Sequence, residues 1–424
     1  MSLDSNNVTE SSTAMARRLR VCNGEIEDKI SGLPDSVIDH ILSFLPTKIV
    51  VATSLLSKHW KQFWRSQHSL YFDDASFPDA FAFCQFLKSI MVRRDKTLPI
   101  LSFHLICRRY TLSDNDFEYF AIGANFNGVE NVIIDFCLPT TLPPTLSLKE
   151  LRSLTTTLPP LFLTSTTLSV LKLKKVNLSM IRRIHLPSLK VLHLESVIFI
   201  MYEYLKSLIY GCPILQELEI NDLRVNITYM MIPRPMPCIP SLIRANISYY
   251  SMFDVPRDVW HYPIPFEWLY NVEHLRLQLN SSPPTISSVF LNLTHLDLIF
   301  NFDHERPLTV SKWCWLRKML QNTPNLQTLI IHNLFSVEAR VLHHFNRWEW
   351  DDPKIVPKCL LSHLTTTCLL GDCELPFAKY IMQNSRLLST MTIQSPKDTN
   401  TKLQMEEDLS SCPRISPACN LLFI

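Results

Sequence analysis

Between Leu33 and Trp64 the apolar residues fall at helical spacing three times over. Leu33-Pro34 leads into Asp35 and Ser36, residue types that start helices, and Ile38, Ile41, Leu42 and Leu45 then recur at i, i+3, i+4 and i+7. The spacing predicts an amphipathic helix that ends before Pro46. Thr47 is placed to cap a second helix, in which Ile49, Val50, Val51, Ala52, Leu55 and Leu56 spread over more than one face, so burying one side leaves another apolar. Ser57 is placed to cap a third, with Trp60, Phe63 and Trp64 on one stripe and Lys58, His59 and Lys61 turned away. A unit of about forty residues stands at the size below which a domain usually needs outside help to hold its fold. The surplus apolar surface therefore predicts an interface, and periodicity leaves two occupants open: the rest of this chain, or a separate protein.

From about residue 120 the pattern changes to a repeated phrase, L-x-x-L-x-L, in which strand alternation follows a leading apolar residue. It reads VENVII from Val129, LSVLKL from Leu168, LKVLHL from Leu189, LQELEI from Leu215, VEHLRL from Val272, LTHLDL from Leu293 and LQTLII from Leu326, with a degenerate copy, LIRANI, from Leu242. Connectors such as YEYLKSLIYGCPILQ keep Leu205, Leu208 and Ile209 at helical spacing. A strand-plus-connector unit cannot bury its apolar face alone, so neighbours stack and the strands build a parallel sheet along one side of a solenoid. Two departures from regular leucine-rich repeats stand out. The place three residues after the third apolar position, usually Asn or Cys, holds Val176, Val197, Leu223 and Leu334. The spacing also runs from 21 residues (Leu168 to Leu189) to 33 (Leu293 to Leu326), which predicts an irregular array. Residues 138–167, rich in Pro and Thr, read as a long connector or a poorly matching repeat. Alternation puts Lys172, Lys174, His193, Glu195, Glu217, Glu219, His274, Arg276, Asp297 and His332 on the open face of the sheet, opposite the leucines, where a partner would be read.

Composition narrows the function classes. With 424 residues and 46% hydrophobic content the chain has room for two or three domains and a sizeable core. Its 41 basic and 39 acidic residues leave +2, so no long-range field favours nucleic acid or anionic lipid as a partner. No run of 18 or more apolar residues occurs, and the polar residues 1–25, expected to be disordered, lack a secretory apolar core; the cytoplasm or nucleus is the expected setting. The basic trio in ARRLR (Ala16 to Arg20) is left unassigned. Twelve cysteines are scattered without a CxxC and read as reduced thiols, and the grouping of Cys359, His363, Cys368 and Cys373 matches no zinc module. Only six glycines occur, and GxGxxG, P-loop, GxSxG and HExxH motifs are absent. No catalytic residue, cofactor or metal is nominated.

The residue identities add a resemblance. LPDSVIDHILSFLPTKIVVATSLLSKHWKQFW, within residues 28–68, resembles the F-box: a Leu-Pro opening, a second Leu-Pro after the first helix, and a Ser-Lys-x-Trp third helix. The resemblance implies that Leu33, Pro34, Leu45, Pro46 and Leu55 help grip the Skp-type adaptor of a cullin-RING ubiquitin ligase, with Trp60 and Trp64 closing the helical unit. In the tail, VPKCLLSHL, NSRLLSTMTI and LSSCPRISPAC resemble the FBD region of plant F-box proteins with leucine-rich repeats, although GDCELPFAKYIMQNS departs from that pattern and Pro376 is expected to delay the helix start. The expectation is thus an α/β chain: a disordered N-terminus (1–25), a three-helix F-box (26–70), an irregular leucine-rich-repeat solenoid (71–347) and an FBD region that caps it (348–424). The function this implies is substrate recognition within a Skp-cullin-F-box ligase, without catalysis by this chain; a ligase-independent repeat scaffold is the alternative. Target identity, a small co-ligand, the role of the FBD region and oligomeric state stay open.

Overall fold

Alternation of a buried and an open position governs strand after strand. In the computed structural model, residues 32–56, 59–109, 112–123, 126–136, 155–178, 183–225, 239–249, 264–279, 284–301, 312–333, 352–371, 375–394 and 399–424 are described. The expected disordered segment, Ser57, Leu334 and Cys373 lie outside them. The N-terminal helices are α1 (Asp35–Ser43), α2 (Thr47–Ala52) and α3 (Phe63–Ser66). The strands follow: β1 (Ser69–Asp73), β2 (Ser102–Cys107), β3 (Asn131–Phe136), β4 (Val170–Lys174), β5 (Val191–Glu195), β6 (Ile198–Phe199), β7 (Glu217–Asn221), β8 (Arg224–Val225) and β9 (Arg244–Tyr249). Then come β10 (His274–Leu279), β11 (His295–Phe300), β12 (Thr328–Asn333), β13 (Thr366–Gly371), β14 (Thr390–Ile393) and β15 (Asn420–Phe423). Between them run α4 (Ala80–Arg93), α5 (Asp114–Gly123), α6 (Tyr202–Tyr210), α7 (Lys312–Gln321), α8 (Lys358–Ser362), α9 (Leu375–Asn384) and α10 (Thr399–Ser410).

Apart from a two-stranded β6–β8 ribbon, the strands form one 13-stranded sheet in chain order, and each pairs in parallel with its neighbours. Parallel neighbours need a crossover, and the helices and turns between strands supply it. The inward row includes Leu171, Leu173, Leu192, Leu194, Leu218, Leu275, Leu277, Leu296 and Leu298, and the leading positions Leu168, Leu189, Leu215, Val272, Leu293 and Leu326 are likewise buried. This is a leucine-rich-repeat solenoid behind a small helical N-terminus. The strands begin before the repeated phrase becomes legible near residue 120: β2 falls inside the span 71–347 expected for the solenoid, and β1 starts at Ser69, at the end of the span expected for the F-box. The leading place of β1 holds Gln67, a buried polar residue that breaks the hydrophobic phrase. The array also runs through the tail, where the C-terminal region closes it by adding β13, β14 and β15 to the same sheet. Within the 13-stranded sheet, strand starts stand 21 residues apart at the closest (Val170 to Val191) and 39 at the widest (Asn131 to Val170). Part of the Pro- and Thr-rich connector packs inward: Phe162, in a 3-10 turn at Pro160–Leu163, meets Phe103, Phe117 and Phe126 at ring distances of 6.1, 6.0 and 4.9 Å.

The missing Asn ladder is replaced by backbone. After β4, β5 and β7 the residues Lys175, Ser196 and Asp222 take positive φ (57°, 52° and 50°), a left-handed step that is strained for side-chain-bearing residues. Lys175 N–H donates to Glu195 O and Ser196 N–H to Asn221 O, both at 2.8 Å, while Val176, Val197 and Leu223 fill the interior behind the step.

At the N-terminus two local readings need correction. Pro34 and Pro46 occupy the N-cap positions, with no side-chain cap at either helix. The Thr47 hydroxyl is buried and instead accepts from Tyr71 N–H of β1 at 2.9 Å, so it serves the sheet edge rather than its own helix. The third helical segment is a 3-10 turn at Trp60–Gln62 running into the four-residue α3. In α9, Pro376 sits in the first turn, where its missing N–H has no helical partner to lose, and the helix starts without delay at Leu375. Among the described residues no helix is long and apolar enough to cross a membrane.

Candidate protein-docking surfaces

The first surface lies on the N-terminal helices. Of the stripe expected to face inward on α1, Ile38 and Leu42 are buried, whereas Ile41 is exposed together with Val37 and Phe44. These three stand at i, i+4 and i+7, a second apolar stripe on the same short helix. α2 and the 3-10 turn after it add Ile49, Leu55 and Leu56, with Leu55 89% and Phe44 74% exposed. The five residues singled out from the sequence divide: Pro34 and Pro46 are exposed at the helix starts, Leu55 projects outward, and Leu33 and Leu45 are half-buried against the core. Val37 and Phe44 were not named from the sequence, although the spacing 37-41-44 carried the signal; Ile41 was read as part of the inward stripe, and Ile49 and Leu56 only as part of the second helix's surplus apolar surface. Polar contacts edge the patch: His59 Nε2 meets Asp35 at 3.2 Å, and Gln67 donates to Asp39 at 2.9 Å. Trp60, Phe63 and Trp64 are buried in one cluster with Leu70 and Phe72 of β1, so the repeat array covers that side of the helices and leaves the stripe open.

The second surface is the open face of the sheet. The ten positions named above occupy the alternate, partly accessible places of β4, β5, β7, β10, β11 and β12, and most of them are tied across strands. Lys174 pairs with Glu195 at 2.5 Å, His193 with Glu217 at 2.7 Å and Glu219 at 3.4 Å, and Asp297 with Arg276 at 3.5 Å and His332 at 3.2 Å. Partly exposed pairs of this kind stabilise by at most about 1 kcal/mol each, so they contribute little to holding the fold. Lys172 has no ion pair among the described residues, and its charge, after the larger effect of burial, lowers the pKa of nearby His104. Sequence reading missed Arg244 and His295. Both lie in one cross-strand row, Glu217–Arg244–His274–His295–Thr328, beside a second row, Glu219–Asn246–Arg276–Asp297–Ile330. His295 stands at the same place in its repeat as His274, and that equivalence was the available signal.

The chemistry of the remaining groups is quiet. Among the described residues no three His, Cys, Asp or Glu side chains converge as metal ligands. Burial pushes the Cys212 and Cys359 thiols up to about 12, which keeps them protonated and poor nucleophiles at neutral pH.

Comparison with known proteins bears on both surfaces. The F-box domain family model matches residues 30–72 and the FBD model residues 352–393. A putative FBD-associated F-box protein of Arabidopsis thaliana is 30% identical, covering 93% of this chain and all of the relative. An F-box/FBD/LRR-repeat protein of the same plant is likewise 30% identical over 93% of this chain and its own full length. A further FBD-associated F-box protein is 28% identical with the same coverage.

Proposed function

The chain belongs to the plant family of F-box proteins that carry leucine-rich repeats and an FBD region, and from that premise we propose that it is the substrate-recognition subunit of a Skp-cullin-F-box ubiquitin ligase. The observation that carries this reading is the uncovered apolar stripe of Val37, Ile41, Phe44, Ile49, Leu55 and Leu56. A Skp-type adaptor removes that stripe from water, and each large side chain so buried contributes about 1.5–3 kcal/mol. A target protein docks on the open face of the sheet. The chain itself breaks no bond: it raises the effective concentration of a target lysine near a ubiquitin thioester held elsewhere in the assembly.

The test is binding of the purified full chain to recombinant Skp-type adaptor. The double exchange Phe44→Asp/Leu55→Asp, at two side chains that hold no core together, lowers affinity at least about tenfold and leaves the melting temperature within a degree or two. The exchange Leu33→Ala/Pro34→Ala weakens binding as well. A wild-type chain that folds and does not bind the adaptor overturns the proposal in favour of a ligase-independent scaffold.

A further inference from the structure

Between β7 and β12 the open face carries a recess of about 350 Å³ in which the two cross-strand rows meet. Its charges are unevenly engaged. Glu217 and Glu219 share His193, and Glu219 also accepts from Asn221 and Asn246 at 3.1 and 3.3 Å. Asp297 is held by Arg276 and His332. The cationic side is left over. Arg244 has no ion pair among the described residues, and the rings of His274 and His295 lie 4.3 Å apart, their planes tilted by 33°. Thr294 Oγ1 occupies His295 Nδ1 at 2.8 Å, while Nε2 has no partner among the described residues.

We propose that this recess receives a single anionic side chain of the target protein, a carboxylate or a phosphorylated hydroxyl, gripped by Arg244, His274 and His295. The inference rests on the reading of the open face as the target-docking surface. An anion beside two adjacent imidazoles and a guanidinium accepts charge-assisted hydrogen bonds from all three and offsets the repulsion that His295 and Arg244 exert on a protonated His274. The flanks limit what fits: Glu217 and Glu219 bound the cationic centre on one side and Asp297 on the other, so a nucleic-acid backbone would bring further phosphates against carboxylates. One anionic group among neutral or basic neighbours meets no such penalty.

The proposal carries a pH dependence. His274 is held below the usual histidine range, by burial first and then by His295 and Arg244, with Glu273 opposing. At pH 7.5 it is neutral without ligand, and binding of an anion takes up a proton. Affinity therefore rises as pH falls, by up to tenfold per pH unit for each proton taken up. Arg276, Glu217, Glu219 and Asp297 face the same recess and are already paired, Glu217 and Glu219 with His193 and Asp297 with Arg276 and His332.

The experiment uses the full chain and immobilised degenerate peptide pools whose fixed central residue is Glu, phosphoserine, Lys or Leu. The Glu or the phosphoserine pool is expected to be retained at least fivefold over the Lys and Leu pools, with the gap widening from pH 7.5 to 6.0, and the stronger of the two names the anion. Arg244→Gln and His274→Asn/His295→Asn abolish the preference while adaptor binding and melting temperature hold. Lys318→Gln, on α7 away from the open face, leaves the preference intact. Preference for the Lys or Leu pool, no preference at all, an acidic preference that survives both recess variants, or equal competition by a single-stranded oligonucleotide overturns the proposal. Adaptor binding without anion selectivity rejects this inference alone, and anion selectivity without adaptor binding rejects the ligase reading alone.

Discussion

Arg94 shows how much one side chain can hold at a junction. Its guanidinium, 5% exposed, donates to Gln67 O from Nε and Nη2 at 3.2 Å, to Leu98 O at 2.7 Å, to Pro99 O at 2.9 Å and to Asp95 O at 3.0 Å. One cation thus ties the end of the N-terminal helices to the loop that feeds β2. Burial lowers its pKa, an effect Asp95 opposes, but a guanidinium stays charged across the accessible range. Arg94→Met leaves several carbonyls without a donor and is expected to cost about 2–4 kcal/mol, read as a lower midpoint in urea. Arg94→Lys recovers only part, because an ammonium cannot span that fan of acceptors. Nothing local marked this residue: it sits in the run Arg93-Arg94-Asp95-Lys96, which reads as solvated charge. Leu55 was legible for the opposite reason, since a helix with apolar residues on more than one face must leave some outside. Ile41 was misread because two stripes share α1, and spacing alone does not say which one the array covers.

At the scale of the element, the unit is a strand, a left-handed step and an apolar plug. Lys175 adopts φ 57°, a region that costs a side-chain-bearing residue about 1–2 kcal/mol relative to glycine. Lys175→Gly is therefore expected to be neutral or to stabilise by up to about 1 kcal/mol, and Lys175→Val to destabilise by about 1–2 kcal/mol, in paired urea titrations. Ser196 is the less clean site, because its hydroxyl donates to Asp222 at 2.9 Å. Leu192→Ala, in the middle of the ladder, is expected to cost about 2–5 kcal/mol by leaving a cavity. The ladder was readable wherever Leu, Ile or Val held the first, fourth and sixth places. It faded at β1, led by Gln67, and at β13, whose fourth place is the buried Thr367. Period-2 alternation fixes which face a residue takes, and so made the ten open-face positions readable, but it does not by itself name the cross-strand neighbour. That neighbour follows from the phrase: whatever the connector length, equivalent places of successive phrases pair, as Lys172 with His193 and His274 with His295 do.

For the whole molecule the question is whether the N-terminal helices form a separate bead or part of the solenoid. A parallel sheet has an open edge at each end, and an uncovered edge invites pairing with other chains. At the β1 end the helices cover it. Thr47 accepts from Tyr71 N–H, Gln67 joins Asp39 to the sheet, Lys48 Nζ stands 4.4 Å above the Phe77 ring, and one continuous apolar cluster runs from Ile38 through Trp60 and Phe72 into the repeats. With such a contact α1, α2, β1 and β2 are expected to open as one cooperative unit, with a fixed direction from the exposed stripe to the recess between β7 and β12. Thr47→Val keeps the shape but leaves a strand N–H without its acceptor, at a cost of about 1–3 kcal/mol. Hydrogen exchange on the full chain decides the matter. If the unit is cooperative, the amides of α1, α2, β1 and β2 lose protection together in the Thr47→Val protein while those of β10–β12 hold. A loss confined to Tyr71, or helices that exchange faster than β1 in the wild type, would show a bead hinged on the array; the stripe and the recess would then have no fixed relation, and a target could reach the ubiquitin donor only through that hinge.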